Sequence, residues 1–183
     1  MPPESPIGGP FSDSGLEVHF DCGLLARLAL PFCRVELHNL FRSMAGAVFA
    51  PQDADFVQVE LLVADEGTME DLNLERMGCP GPTNILSFPA VAPLVAKVDS
   101  LPLAPGLARA EAPLFLGSLV LAPHTLKREA FLYGQEARSY CIRLLAHGFA
   151  HLLGLEHGPE MDAVAQLLEQ GFTLGISSGN KER

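Results

Sequence analysis

The chain has 183 residues, of which 48% are hydrophobic and 19% charged. That is enough to build the core of one domain, and it excludes a disordered polyampholyte. A formal net charge of −10 argues against indiscriminate binding of polyanions.

In chain order, residues 1–15 are rich in Pro, Gly and Ser and read as a flexible tail. Residues 16–22 alternate apolar and polar, as a half-buried strand does. From Pro31 to Val48 apolar residues return at helical spacing, and Phe56 to Val63 reads as a second strand. Thr68 and Asp71 open a short acidic helix to Met77, followed by a Gly-Pro loop over 78–82. Asn84 to Pro89 is a short strand closed by proline, and residues 90–114 read as a long surface excursion. Phe115 to Ala122 is another strand, and Pro123 suits the first turn of the helix after it. The strongest helical pattern runs from Gln135 to Leu153 and stops at Gly154. A last helix is expected from Pro159 to Gln170, with 177–183 as a tail. The expected class is α+β: a single compact domain over 16–176, with one mixed sheet of about four strands and helices packed on it.

Apolar runs are short and interrupted (Arg27 breaks 23–32), below the roughly 20 residues that span a bilayer. The start, Met1-Pro2-Pro3-Glu4, has neither a basic nor an apolar run, so no signal peptide is read and a cytoplasmic protein is expected. The four cysteines, at 22, 33, 79 and 141, form no C-x-x-C pair and read as free, mostly buried thiols. Charge is uneven. Residues 1–75 hold 13 acids against 3 bases, whereas residues 76–155 hold 4 acids against 7 bases, which allows a local basic face.

The informative stretch is His147-Gly-Phe-Ala-His151-Leu-Leu-Gly154-Leu-Glu156-His157. His147 and His151 lie four apart, on one helix face. Gly154 breaks the helix, so the chain can turn back and bring His157 to the same point. Three converging neutral imidazoles with a fourth position open describe a metal site at the end of a long helix. Zinc is the default ion, and nickel, cobalt and copper accept the same ligands. His19, His38 and His124 stand isolated and are read as structural. The same histidine spacing occurs in metzincin proteases, which place a glutamate after the first histidine as general base. Here that position is Gly148, and the protease reading loses its acid–base group.

The histidine motif resembles H-G-x-x-H-L-x-G-x-[DE]-H of the YbeY family. Pro82-Thr83-Asn84-Ile85-Leu86-Ser87-Phe88-Pro89 resembles that family's T-[DN]-[VI]-L-S-F-P, and Leu116-Gly117-Ser118-Leu119-Val120 falls where the family has L-G-D-[IL]-V. The resemblance extends from about residue 55 to residue 173. It implies a zinc-dependent endoribonuclease that acts on single-stranded RNA, in maturation of small-subunit ribosomal RNA and ribosome quality control. It also implies one zinc ion per chain on His147, His151 and His157, the small ribosomal subunit as partner, and neither DNA nor membrane. Thr83, Asn84, Ser87, Phe88 and Arg143 are the expected substrate-binding residues. Glu156 and Arg76 are the expected catalytic ones, Glu156 by orienting a histidine ring or moving a proton and Arg76 by contacting phosphate. Lys127, Arg128 and Arg138 are further candidates for backbone phosphate. Two departures stand out: Ser118 replaces an aspartate, and the family's arginine aligns without a gap on Met77, one residue after Arg76. The alternatives are a ribosome-assembly binding factor with a structural zinc and a metallohydrolase acting on a non-RNA substrate.

Overall fold

The computed structural model describes residues 15–21, 23–95, 98–103 and 112–178. The tails expected before residue 15 and after residue 178, and most of 96–111, lie outside the described residues. The strands are β1 (Gly15–Asp21), β2 (Val57–Ala64), β3 (Ile85–Pro89) and β4 (Leu114–Leu121). The helices are α1 (Leu24–Ala29), α2 (Arg34–Val48), α3 (Pro51–Ala54), α4 (Glu66–Leu72), α5 (Pro123–Leu132), α6 (Ala137–Leu152) and α7 (Pro159–Ser178). The strands form one mixed sheet in the order β1-β2-β4-β3, with β3 alone antiparallel. The expected α+β class, with a single domain and one four-stranded sheet, is what the chain forms.

Side-chain alternation decides what each sheet face meets. Leu119 and Leu121 of β4 and Val59, Leu61 and Val63 of β2 point into the main core, with Leu37, Leu40, Phe41, Met44 and Val48 of α2. Those α2 residues recur at three and four, the stripe of a helix that buries one face. Val35, one of the residues counted in that pattern, lies off the stripe and is 68% exposed. Leu62, Val120, Leu86 and Met69 form a smaller cluster on the opposite face, against which Phe88 packs. All eight residues of β2 are buried, because it is a central strand covered on both faces.

Several elements depart from their expected limits. α1 was not read from the sequence: it is six residues long, with Leu24 and Leu28 exposed, too short and too open to show a periodic stripe. The acidic helix ends in a π-helical turn, Asn73–Met77. α7 continues to Ser178, past the end expected at Gln170. Gly171 marks close packing on α2 rather than a stop, since a Cβ there would lie 3.3 Å from the Ala47 Cβ. The 90–114 connection is not wholly a surface excursion: Val95 is buried, and the Leu94 and Val95 amides both donate to the Leu153 carbonyl. The thiols are not mostly buried either. Among the described cysteines only Cys141 is buried, whereas Cys33 sits at the exposed start of α2 and Cys79 in the exposed loop after the π turn.

The start of α2 is tied to α6 by Glu36. Its carboxylate accepts from the Cys33 backbone amide at 2.8 Å and from Arg138 Nη2 at 2.8 Å. These bonds, the backbone one first, hold its pKa below the usual 4.5, at about 2. Folding lowers the pKa, so the stabilisation is full above the ordinary glutamate range and is lost as pH falls through about 2. The pair is partly exposed, and solvent screens it. Glu36→Gln is therefore expected to flatten the acid limb of the stability–pH curve in denaturant melts. An acid limb identical to that of the unmodified protein would contradict this account.

Candidate metal centre

Glu136 opens α6, accepting from the Arg138 and Ser139 backbone amides at 2.8 and 2.7 Å. The helix then carries Tyr140, Arg143, Leu144, His147 and His151 along one side, at spacings of three and four. It lies against β3 and β4 so closely that a Cβ at Gly148 would fall 2.9 Å from the Ile85 and Leu119 methyls and 3.2 Å from Ser87 Oγ. The place of a metzincin glutamate is filled by the sheet.

The helix ends in a Schellman turn: Gly154 N–H donates to the His151 carbonyl at 2.9 Å and Leu155 N–H to the Ala150 carbonyl at 3.2 Å. Gly154 takes φ +91°, and a Cβ on it would lie 2.4 Å from Pro93 Cα. Only glycine satisfies both conditions. The turn sends the chain back and delivers His157 beside the two helix histidines. Ring centroids are 4.8 Å apart for His147–His151, 5.2 Å for His147–His157 and 4.8 Å for His151–His157. One ligand atom from each lies within 4.8 Å of the others.

The donors suit an imidazole-preferring divalent ion. His151 Nδ1 is 2.9 Å from the Leu155 carbonyl, which sets the tautomer that leaves Nε2 as the donor. Burial lowers the pKa of His147, and His151 and His157 lower it further. Burial is also the main cause for His151, assisted by His157 and opposed by the Leu155 carbonyl. Both shifts favour the neutral ring, whose lone pair is what a metal takes.

The histidines line a groove of about 540 Å³, whose walls also include Thr83, Asn84, Ser87, Tyr140 and Arg143. Seven of the ten expected metal, catalytic and substrate-binding residues line it; Phe88, Arg76 and Glu156 do not, nor do the further phosphate candidates Lys127, Arg128 and Arg138. Phe88 points to the other sheet face, into the Leu62–Met69 cluster. Ser118 faces the same way, donating to Glu60 Oε2 at 2.6 Å, so the carboxylate missing at this position does not bear on the metal face. Arg76 is outside the lining and pairs with Glu75 at 3.6 Å, while Met77 lines the groove. Glu156 is exposed and outside the lining, and the ring-orienting contact to His151 belongs to the Leu155 carbonyl. Arg128 and Arg138 are engaged in ion pairs with Glu66 and Glu36, and Lys127 is exposed outside the groove. Arg143 reaches the groove, held by a hydrogen bond to the Gln135 amide oxygen. Tyr140 was missed, although it lies seven residues before His147 on the same helix face. A second recess of about 310 Å³, beside α2, contains His38 but no second histidine.

The family profile of endoribonuclease YbeY matches residues 33–170. An endoribonuclease YbeY of Nitratidesulfovibrio vulgaris is 48% identical over 136 residues, covering 73% of this chain and 81% of the relative. One from Oleidesulfovibrio alaskensis is 46% identical over 146 residues, covering 76% and 80%. One from Lawsonia intracellularis is 34% identical over 145 residues, covering 79% and 90%. The solution structure of a Thermotoga maritima protein superposes with a TM-score of 0.54 at 16% identity, over 92% of this chain and 95% of that one, and shows the same fold.

Gly154→Ala combines left-handed strain with a backbone contact, and is expected to cost about 2 kcal/mol or more. It is also expected to weaken metal binding, because His157 is displaced. Denaturant melts with and without added metal read both effects; equal stability and equal metal dependence in variant and parent would contradict this role.

Proposed function

The chain belongs to the endoribonuclease YbeY family, and we propose that it is a metal-dependent endoribonuclease. In this reading it cuts single-stranded RNA in the maturation and quality control of small-subunit ribosomal RNA. We propose zinc as the ion, one per chain, on His147, His151 and His157, the small ribosomal subunit as partner and the cytoplasm as location. No helix among the described residues is long and apolar enough to cross a membrane. The observation that carries the reading is the convergence of three imidazoles in a groove that Arg143 also lines.

His147, His151 and His157 would hold a divalent ion, which would supply Lewis-acid chemistry for hydrolysis of a phosphodiester. The chain's own residues do the rest. The Leu155 carbonyl keeps the His151 ring oriented. Arg143, one turn before His147, meets a backbone phosphate next to the one being cut. Thr83, Asn84 and Ser87 line the path of the strand. Among the described residues no carboxylate lines the groove, so no side chain there duplicates a protease glutamate. Glu156 enters the reading through its neighbour His157, as the candidate to take up a proton. Arg76 enters from the π turn beside Met77, acting by charge on a phosphate. Phe88 supports the β3 wall from the far side.

The test is cleavage of a single-stranded ribosomal RNA fragment by the parent and by His151→Ala purified identically, each with and without chelator. Cutting by the metal-loaded parent alone is expected; equal cutting by both proteins would overturn the reading. Arg143→Ala is expected to weaken RNA binding and to reduce the slope of log affinity against log salt by about 0.7, the share of one single-strand phosphate. An unchanged slope would remove Arg143 from the phosphate path.

A further inference from the structure

Glu129 of α5 lies outside the groove lining and was not among the expected site residues, yet it holds two residues of the groove wall. Its Oε2 accepts from Asn84 Nδ2 at 2.7 Å and from the Tyr140 hydroxyl at 2.8 Å. A carboxylate oxygen accepts and does not donate, so both partners must turn their hydrogens toward it. Burial, and next the bond to Glu129, push the Tyr140 hydroxyl up to about 12, so the phenol remains a donor. The backbone at Asn84 is fixed as well, because its carbonyl accepts from the Ala122 amide at 2.9 Å. With Nδ2 donating to Glu129, the Asn84 side chain keeps its acceptor Oδ1 for a ligand.

Arg143 stands beside this cluster, its guanidinium 5.7 Å from the centre of the Tyr140 ring. The groove wall thus offers a cation for phosphate and, in the same cluster, an uncharged acceptor. A nucleotide carries the complement: a phosphate and, beside it, a hydrogen-bond donor. We infer that Glu129 is a positioning residue that fixes Asn84 with its carbonyl presented to the groove, where it accepts a hydrogen bond from the ribose 2′-hydroxyl or from an exocyclic base amine. The inference deepens the RNA reading and rests on it. A 2′-hydroxyl donor would make this contact one by which the groove distinguishes RNA from DNA.

The test uses the metal-loaded full chain and short single strands of ribo-uridine, ribo-cytidine, deoxyuridine and deoxycytidine, with binding followed by fluorescence anisotropy. Asn84→Ala and Glu129→Ala are each expected to weaken binding to ribo-cytidine about fivefold, the loss of one hydrogen bond. The double variant is expected to bind no more weakly than either single one, because the two residues act through one contact. Glu129→Gln is expected to bind within about twofold of the parent, since its amide oxygen can accept the same two bonds. Metal content is expected to be equal in all variants. A penalty on both ribo strands and neither deoxy strand assigns the donor to the 2′-hydroxyl. A penalty on both cytidine strands and neither uridine strand assigns it to the base amine. Parent-like binding of Asn84→Ala to every strand overturns the inference, and so does Glu129→Gln binding as weakly as Glu129→Ala. If Glu129→Ala fails to fold, Asn84→Ala still decides. A parent that neither binds nor cuts RNA overturns the proposed function and this inference together, whereas a parent that cuts RNA beside an indifferent Asn84→Ala overturns this inference alone.

Discussion

α6 can bring two imidazoles to one point by helix geometry, but a third can join them only if the chain reverses within a few residues. The Gly154 turn performs that reversal. It is tied from outside the helix: Pro93 packs where a Cβ would be, and the Leu94 and Val95 amides both bind the Leu153 carbonyl. The same reversal places the Leu155 carbonyl over His151 Nδ1. One backbone turn therefore positions the third ligand and orients the second. Packing of α6 against β3 and β4 through Gly148 then sets the depth at which the histidines sit in the groove.

The groove is chemically divided. It offers imidazoles, of which burial favours the neutral form of His147 and His151, and beside them the Arg143 cation with the Asn84–Glu129–Tyr140 hydrogen bonds. This division reconciles an acidic protein with a polyanionic substrate. Several basic side chains of the middle segment are consumed in structural pairs, Arg128 with Glu66 and Arg138 with Glu36. Among the described residues, Arg143 is the Lys or Arg side chain that lines the groove.

Periodicity made α2 and α6 legible, because each buries one stripe, and the strands were legible as short alternating or continuous apolar runs, β2 being buried on both faces. The histidine triad was legible because its spacing is local: two ligands on one helix face and one just beyond a glycine stop. What escaped were features set by contacts distant in sequence or carried by the backbone. The Leu155 carbonyl has no side-chain signature. Glu129 meets Asn84 from 45 residues away. Phe88 and Ser118 sit in segments that resemble functional motifs, yet strand alternation turns both to the far face. Arg76 shows the reverse problem. A one-residue difference at the π turn leaves Met77 at the groove and the arginine beside Glu75.

The central claim is that His147, His151 and His157 hold one ion together. Titration of metal-free protein with cobalt, followed by visible absorption, tests it directly, because low-coordinate imidazole sites give strong bands and report stoichiometry. The expected result is saturation at one cobalt per chain, with the bands lost in His157→Ala, the ligand that depends on the Gly154 turn. Saturation with the same spectrum in His157→Ala, or no cobalt bound by the parent, would contradict the account.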